Sequence, residues 1–281
     1  MQIVNSVDEL TKVLGSKILS GKQIGFVPTM GALHAGHVAL VQQAVAENDY
    51  TVVSIFVNPT QFNNANDLAN YPRDLSRDAD MLEASQCDLI FAPRKEDIYT
   101  EEELTKPFEF DFGGLDQVME GEFRPGHFNG VVQIVSKLFE LVQPQRAYFG
   151  EKDFQQLAII HRMTTVLGFD VQIIDCQIVR EQSGLAMSSR NERLTPDQRE
   201  IAAGISKVLF ECRNFVPLFS PKQLKQWVEN EINQIQGLDL EYFEIANTKT
   251  LQTAKSWDEP TVGCIAVFCG DVRLIDNIRC S

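Results

Sequence analysis

Val7, Leu10, Val13, Leu14 and Ile18 recur at helical spacing in "SVDELTKVLGSKILSGK". Ser6 and Glu9 stand at capping-box spacing and Gly21 is placed to end the helix. An apolar run follows, "QIGFV", and from there the pattern alternates. Strand-like segments "TVVSIFV" (51–57), "DLIFA" (88–92), "RAYFG" and "VQIIDCQIV" (171–179) are separated by helical ones: "DLSRDADMLEAS", "NGVVQIVSKLFELV" (129–142) and "DFQQLAIIHRMTTVLG". Apolar strands alternating with helices of this length predict parallel βαβ units with right-handed crossovers, hence a doubly wound α/β (Rossmann-like) sheet.

After about residue 180 the pattern changes. Two helices come in succession, opened by "TPDQ" (195–198) and "SPKQ" (220–223), both capping boxes with proline at the first helical position. Three strands follow, "LEYFEIA", "TVGCIAVFC" and "VRLIDNI", and helices followed by sequential strands predict a small α+β domain with an antiparallel sheet. Two domains are expected, 1–180 and 181–281, without internal repeats.

Composition narrows the function. At 281 residues and 44% hydrophobic content the chain has ample core, while 25 basic against 39 acidic residues give a net charge of -14. That balance disfavours a nucleic-acid backbone as partner, so any basic site must be local. "MQIVNSVDEL" has no basic leader region and no later run approaches a membrane span, so a cytoplasmic protein without membrane contact is expected. Six cysteines stand singly, which favours buried free thiols over disulfides or a zinc site.

The candidate chemistry begins at "GFVPTMGALHAGH", where an apolar strand hands over to a helix. Gly31 and Gly36 have phosphate-loop spacing, but His37 stands where that loop needs lysine, and no G-x-G-x-x-G is present. What remains is a glycine-bounded turn entering a helix, whose free N–H groups and dipole favour an anion. His34 and His37, three apart, share one face of that helix start and can donate to phosphate oxygens. Nucleotide binding, a metal site and a merely structural turn all stay open from these residues alone.

"PTMGALHAGH" resembles the histidine signature of the adenylyl-transferring superfamily that includes class I aminoacyl-tRNA synthetases, and more closely the pantothenate synthetase (pantoate–β-alanine ligase) family. The resemblance implies that Pro28, Thr29, Met30, Gly31, His34, Gly36 and His37 bind ATP. A second segment, "VNPTQF", offers Asn58 and Gln61 as neutral groups for a small hydroxy acid, or simply an Asn-Pro turn. Its match to "VNPxQF" in the family implies that Gln61, beside Asn58, contacts pantoate.

"RPGHFNGV" and "YFGEKDFQQ" supply the third constellation. Lys152 and Asp153 open a helix after a strand, which could equally be a solvated charge pair. By resemblance, Gly150, Glu151, Lys152 and Asp153 form the nucleotide loop with Lys152 on the phosphates. Gln156 helps hold pantoate, and Arg124 and His127 close over the site. The family pattern "RPGHFRGV" is broken here by Asn129, which leaves the local charge open. In "GLAMSSRN", Ser188, Ser189 and Arg190 make either a phosphate clamp on a hinge or a serine-rich linker. The resemblance implies the former, adds Val179 and Met187 to the ATP set, and places His37, His34, Lys152 and Arg190 in catalysis. "GDVRLID" near the end matches the family as well.

The implied reaction condenses pantoate with β-alanine through a pantoyl adenylate, with ATP as substrate, Mg2+ on its phosphates, and a homodimer as the unit. A nucleotidylyltransferase that adenylates a phosphate ester shares the histidine signature but has no use for "VNPTQF" or "GEKDFQQ". A non-catalytic adenylate sensor would need only the glycine turn. A truncated aminoacyl-tRNA synthetase is disfavoured by the acidic balance.

Overall fold

The computed structural model describes residues 1–63, 68–69, 71–106 and 108–281, which fall by their contacts into two units. The first comprises Met1–Gly113, Phe123–Glu151 and Gln156–Cys176. Its strands β1 (Gln2–Val4), β2 (Ile24–Thr29), β3 (Tyr50–Ile55), β4 (Leu89–Phe91), β5 (Arg146–Gly150) and β6 (Gln172–Cys176) form a parallel sheet in the order β1-β4-β3-β2-β5-β6. This is the Rossmann-like sheet expected from the sequence. The chain runs outward from β2 to β3 and β4, then returns to place β5 on the other side of β2. The order therefore reverses between β2 and β5, and in open α/β sheets ligands bind outside the carboxyl ends of strands at that reversal.

Helices α1 (Val7–Leu19), α2 (Ala35–Glu47), α3 (Leu75–Ala84), α4 (His127–Val142) and α5 (Phe154–Leu167) accompany the sheet. Ser6 caps α1 by accepting from the Glu9 amide, and Leu10 and Leu14 are buried beneath it. β2 and β3 are buried along nearly their whole length, as strands covered on both faces must be. Val27, Val53, Ile90 and Tyr148 share one apolar cluster with Val41 and Ala44 of α2 and Leu82 of α3. Phe26, of opposite parity in β2, instead meets Phe139 of α4 edge-on, with ring centroids 6.3 Å apart.

The structure differs from the sequence reading in several places, β3 for one spanning Tyr50–Ile55 rather than 51–57. β1 was not anticipated, because three residues ahead of a cap carry too little periodicity. β6 stops at Cys176, and Val179 lies beyond it, just before the antiparallel Arg180–Ala186 bridge, where its carbonyl accepts from the Met187 amide at 3.0 Å. α4 starts at His127 rather than 129, because Gly126 at φ 80° supplies a left-handed cap. His127 is thus on the helix and not on the loop before it.

The second unit comprises Gly114–Glu122, Lys152–Gln155 and Gln177–Ser281. Here α6 (Pro196–Cys212) and α7 (Pro221–Gln234) open with the two expected capping boxes, Thr195 with Gln198 and Ser220 with Gln223. β7 (Leu238–Asn247), β8 (Thr261–Cys269) and β9 (Val272–Arg279) form an antiparallel sheet in that order, as the sequence implied. Gly270, at φ 57°, makes the tight β8–β9 turn possible. Leu209, Leu224, Val228, Phe243, Ile265 and Leu274 anchor one apolar core between these helices and strands. The cysteines are free thiols, all buried except the half-buried Cys280. No helix among the described residues is long and apolar enough to cross a membrane.

Candidate active site

The histidine turn leaves the carboxyl end of β2 at the point where the strand order reverses. Thr29 ends the strand, donates to the Ser54 carbonyl at 2.7 Å and accepts from the Gly31 amide at 3.2 Å. Gly31 at φ 79° and Ala32 at φ 50° then turn the chain through left-handed conformations. At Gly31 a Cβ would lie 2.9 Å from Asp78 Oδ2, so only glycine fits there without displacement. Leu33 drops into the apolar core and fixes the turn from below.

Asp78 of α3, 1% exposed, holds this turn from beside it. Its Oδ2 accepts from the Ala32 amide at 2.9 Å and its Oδ1 from the Leu33 amide at 2.7 Å. Burial pushes its carboxyl above the ordinary carboxylate range, and the two amide bonds pull it partly back. The sequence reading passed over this residue, which sits in a helix whose pattern reads as a charged outer face.

His34 is the N-cap of α2, and its Nδ1 accepts from the Gly36 amide at 3.1 Å. His37 Nδ1 accepts from the His34 amide at 3.3 Å, and the two rings lie 4.1 Å apart. A backbone N–H can only donate, so both imidazoles carry their proton on Nε2 in this arrangement. The amides of Gly31, Ala32, Leu33, His34 and Gly36 are all engaged inside the protein. An anion at this turn therefore meets the two imidazoles and the helix dipole more than a nest of open amides.

Met30 ties the turn to the second motif, its Sδ accepting from Gln61 Nε2 at 3.0 Å. Asn58 is 1% exposed and uses both ends of its amide within the protein. Its Nδ2 donates to Gln61 Oε1 at 3.2 Å and to the Gly130 carbonyl at 3.0 Å. Its Oδ1 accepts from Thr60 Oγ1 at 3.2 Å and Tyr99 Oη at 2.8 Å. All four of its hydrogen-bonding capacities are thereby taken, so Asn58 holds Gln61 in place, while Gln61 keeps spare capacity for a ligand. Tyr99, a partner not read from the sequence, is buried with its phenol pushed up to about 12 by desolvation. It is therefore a neutral donor throughout the physiological range.

His127, at the start of α4, bonds the Gln61 carbonyl through Nδ1 at 2.8 Å. Arg124 precedes it and accepts the His127 amide on its own carbonyl at 3.0 Å. Asn129, where the resemblance has a basic residue, donates to the Phe108 carbonyl at 2.6 Å, so the position is used for holding a loop. Gly130 explains how closely these pieces fit. A Cβ there would lie 2.4 Å from the Thr60 carbonyl oxygen and 2.6 Å from the Gln61 nitrogen, both rigid backbone atoms. Gly130→Ala is expected to destabilise the protein by about 1–3 kcal/mol through overpacking. An unchanged urea midpoint would show that the 59–61 turn yields freely.

The first unit thus gathers the turn from Pro28 to His37 with Asn58, Gln61 and His127. In the second unit, Lys152 and Asp153 lie in the 3-10 turn Glu151–Asp153 that follows Gly150 at the end of β5. Gln155 is buried, donating to the Leu115 and Val118 carbonyls at 2.7 Å each, whereas Gln156, which belongs to the first unit, is half-buried. Val179 and Met187 are joined by the backbone bond described above. Ser188 caps the 3-10 helix Ser189–Arg193, its Oγ accepting from the Arg190 amide at 3.3 Å. Asn191, buried beside it, donates to Glu181 Oε1 at 2.9 Å and the Ala186 carbonyl at 3.0 Å. Ser188 is thus the cap of this short helix, and Ser189 and Arg190 are in its first turn. No group of three or more His, Cys, Asp or Glu side chains among the described residues is placed to hold a metal ion.

Comparison with known proteins gives a consistent answer. A family model described as pantoate-beta-alanine ligase matches residues 2–279. A pantothenate synthetase of Bacteroides fragilis is 53% identical over 281 residues, covering 99% of each chain. The crystal structure of pantothenate synthetase from Thermus thermophilus superposes with a TM-score of 0.92 at 41% identity, covering 100% of this chain and 99% of that one. A pantoate-beta-alanine ligase from Francisella tularensis, complexed with beta-gamma ATP and beta-alanine, gives 0.83 at 35% identity, covering 99% and 97%.

Proposed function

Because the chain belongs to the pantoate–β-alanine ligase family, we propose that its histidine turn and the groups beside it carry the adenylating half of that reaction. The protein is an enzyme, and its activity is the ATP-dependent joining of pantoate to β-alanine. In the first half, a pantoate carboxylate oxygen attacks the α-phosphorus of ATP. The bond to the bridging oxygen breaks, and pyrophosphate leaves. In the second, the deprotonated β-alanine amine attacks the acyl carbon of the adenylate, the nitrogen gives up one proton as the amide forms, and AMP departs with the electrons of the broken acyl–oxygen bond.

The observation that carries the site assignment is the pair of Nε2–H imidazoles at the strand reversal, flanked by Gln61. Phosphoryl-type transfer asks the protein mainly for positioning and for neutralising charge on phosphate oxygens. His34 and His37 donate to those oxygens, while Lys152 and Arg190 add charge and Ser188 and Ser189 add hydroxyl donors. Gly150, Glu151 and Asp153 shape the nucleotide loop, with Val179 and Met187 against the nucleotide. Gln61 and Gln156 hold pantoate, Asn58 keeps Gln61 aimed, and Arg124 and His127 border the pantoate side.

Mg2+ fits this donor set as a nucleotide-borne ion. The described residues offer no carboxylate cluster of their own, and Mg2+ characteristically takes phosphate oxygens and water. It would supply charge neutralisation on the leaving pyrophosphate. A cytoplasmic homodimer completes the reading, and light scattering would give the order.

Isotope exchange between pyrophosphate and ATP tests the reaction order. Exchange that depends on pantoate, and not on β-alanine, is the expected result. Exchange that ignores pantoate, or that requires β-alanine, would sink the adenylate route.

A further inference from the structure

The "GDVRLID" segment runs from the β8–β9 turn into β9, and the reaction itself finds no direct use for it. The residues of β9 alternate between two environments, as a strand's must. Val272, Leu274 and Ile278 enter the apolar core with α6 and α7. The opposite parity, Arg273, Asn277 and Arg279, meets two excursions of chain that belong to this unit, Gly114–Glu122 and Lys152–Gln155.

Each of the three makes a specific contact. Arg273 forms a fork with Glu120, at 2.9 Å to Oε2 and 2.7 Å to Oε1, and also bonds Glu241 through Nε at 2.9 Å. Tyr242 donates its hydroxyl to the same Glu120 at 2.8 Å. Asn277, 5% exposed, donates Nδ2 to the main-chain carbonyl of Lys152 at 3.0 Å. Arg279 lies over the Phe154 ring at 5.5 Å. Gln155 joins the two excursions, accepting the Glu120 amide at 2.9 Å while donating to Leu115 and Val118.

Asn277 is itself held from beside. Its backbone N–H donates to Asp276 Oδ1 at 2.7 Å, and Asp276 is forked to Arg180 at 2.6 and 2.9 Å. This chain of contacts ends on the backbone of one residue with a proposed chemical task. The lysine side chain is a flexible stem, so the reach of its ammonium is set by where its backbone sits. A misplacement of about 1 Å at a reacting centre can cost on the order of 100-fold in rate.

We propose that Asn277 is a positioning residue for adenylation, fixing Lys152 through its main-chain carbonyl. The proposal rests on the reading of Lys152 as the cation on the ATP phosphates.

The test compares Asn277→Asp, which keeps size but loses the donor, and Asn277→Leu, which loses it without adding charge, each alone and combined with Lys152→Met. Pyrophosphate release gives kcat and KM for each substrate, and circular dichroism gives the melting midpoint. Both single variants should lose about 10- to 100-fold in kcat/KM for ATP, the scale of a misplaced group, with the KM for β-alanine unchanged. In the Lys152→Met background neither should cause further loss. Should the Asp variant melt below the assay temperature, the Leu variant is read alone. Impaired Lys152→Met beside unimpaired Asn277 variants would overturn the positioning role, as would losses that multiply in the double variants or extend equally to β-alanine. Wild-type kinetics in Lys152→Met would instead overturn the role of Lys152, and the proposal with it.

Discussion

His37→Asn is expected to slow adenylate formation by about 100- to 1,000-fold, the effect of removing one oriented donor from a developing oxyanion. The choice of asparagine follows from the geometry. His37 has two separable duties: its Nδ1 accepts from the His34 amide at 3.3 Å, and its Nε2–H is the group assigned to the phosphates. Asparagine keeps an acceptor near the Nδ1 position and has nothing at the Nε2 position. Alanine removes both. The difference in stability between the two variants therefore reports the cap, about 1 kcal/mol, and the rate deficit they share reports the donor. Rapid-quench measurement of pyrophosphate formation in a single turnover separates this step from aminolysis. A His37→Asn enzyme within about threefold of wild type, far short of the loss expected for an oxyanion donor, would show that the ring only caps the helix.

The His37 duties also mark how far the sequence could be read. The turn, its two histidines and the strand before it are local, encoded within a dozen positions, and their spacing excluded a phosphate loop. The same is true of the capping boxes at Thr195 and Ser220, which placed α6 and α7. What spacing could not show is who holds the turn. Asp78 lies 46 residues from Ala32, and in "LSRDADMLEA" it reads as one more solvated acid. Its burial arises only when the sheet brings α3 beside the carboxyl end of β2. Asn58 illustrates the converse: the motif offered it as a ligand contact, and spacing could not show its four bonds within the protein, one of them to Tyr99 from 41 residues away. Gly130 looked like an ordinary helix residue until the 59–61 backbone was seen against it. Non-local contacts decide such cases, and periodicity carries no information about them.

Replacement of Asp78 should therefore damage the site without touching any substrate. Asp78→Asn leaves one oxygen for two amides and turns an NH2 toward the other. An orphaned buried donor costs about 1–3 kcal/mol, and hydrogen bonds to a charged group are at the upper end of that range. The displaced turn carries His34 and His37 with it, so adenylation should fall by about 100-fold although both histidines are present. The pH dependence of the difference between the two proteins isolates this residue. Burial raises the Asp78 pKa in the folded protein above its ordinary value of 3.8. Between that value and the raised one the folded state binds more protons than the unfolded state, so stability contributed by this group is full at lower pH and is lost as pH rises. The asparagine variant has no such titration. Urea unfolding of both proteins from about pH 3.5 upward, starting near the ordinary carboxylate pKa, should show the wild-type advantage shrinking with increasing pH, all shared groups cancelling in the difference. An advantage that grows with pH would mean that the two amide bonds outweigh burial and hold the carboxyl below its ordinary value. In that case the turn would be clamped by charge, and its grip would fail in acid instead.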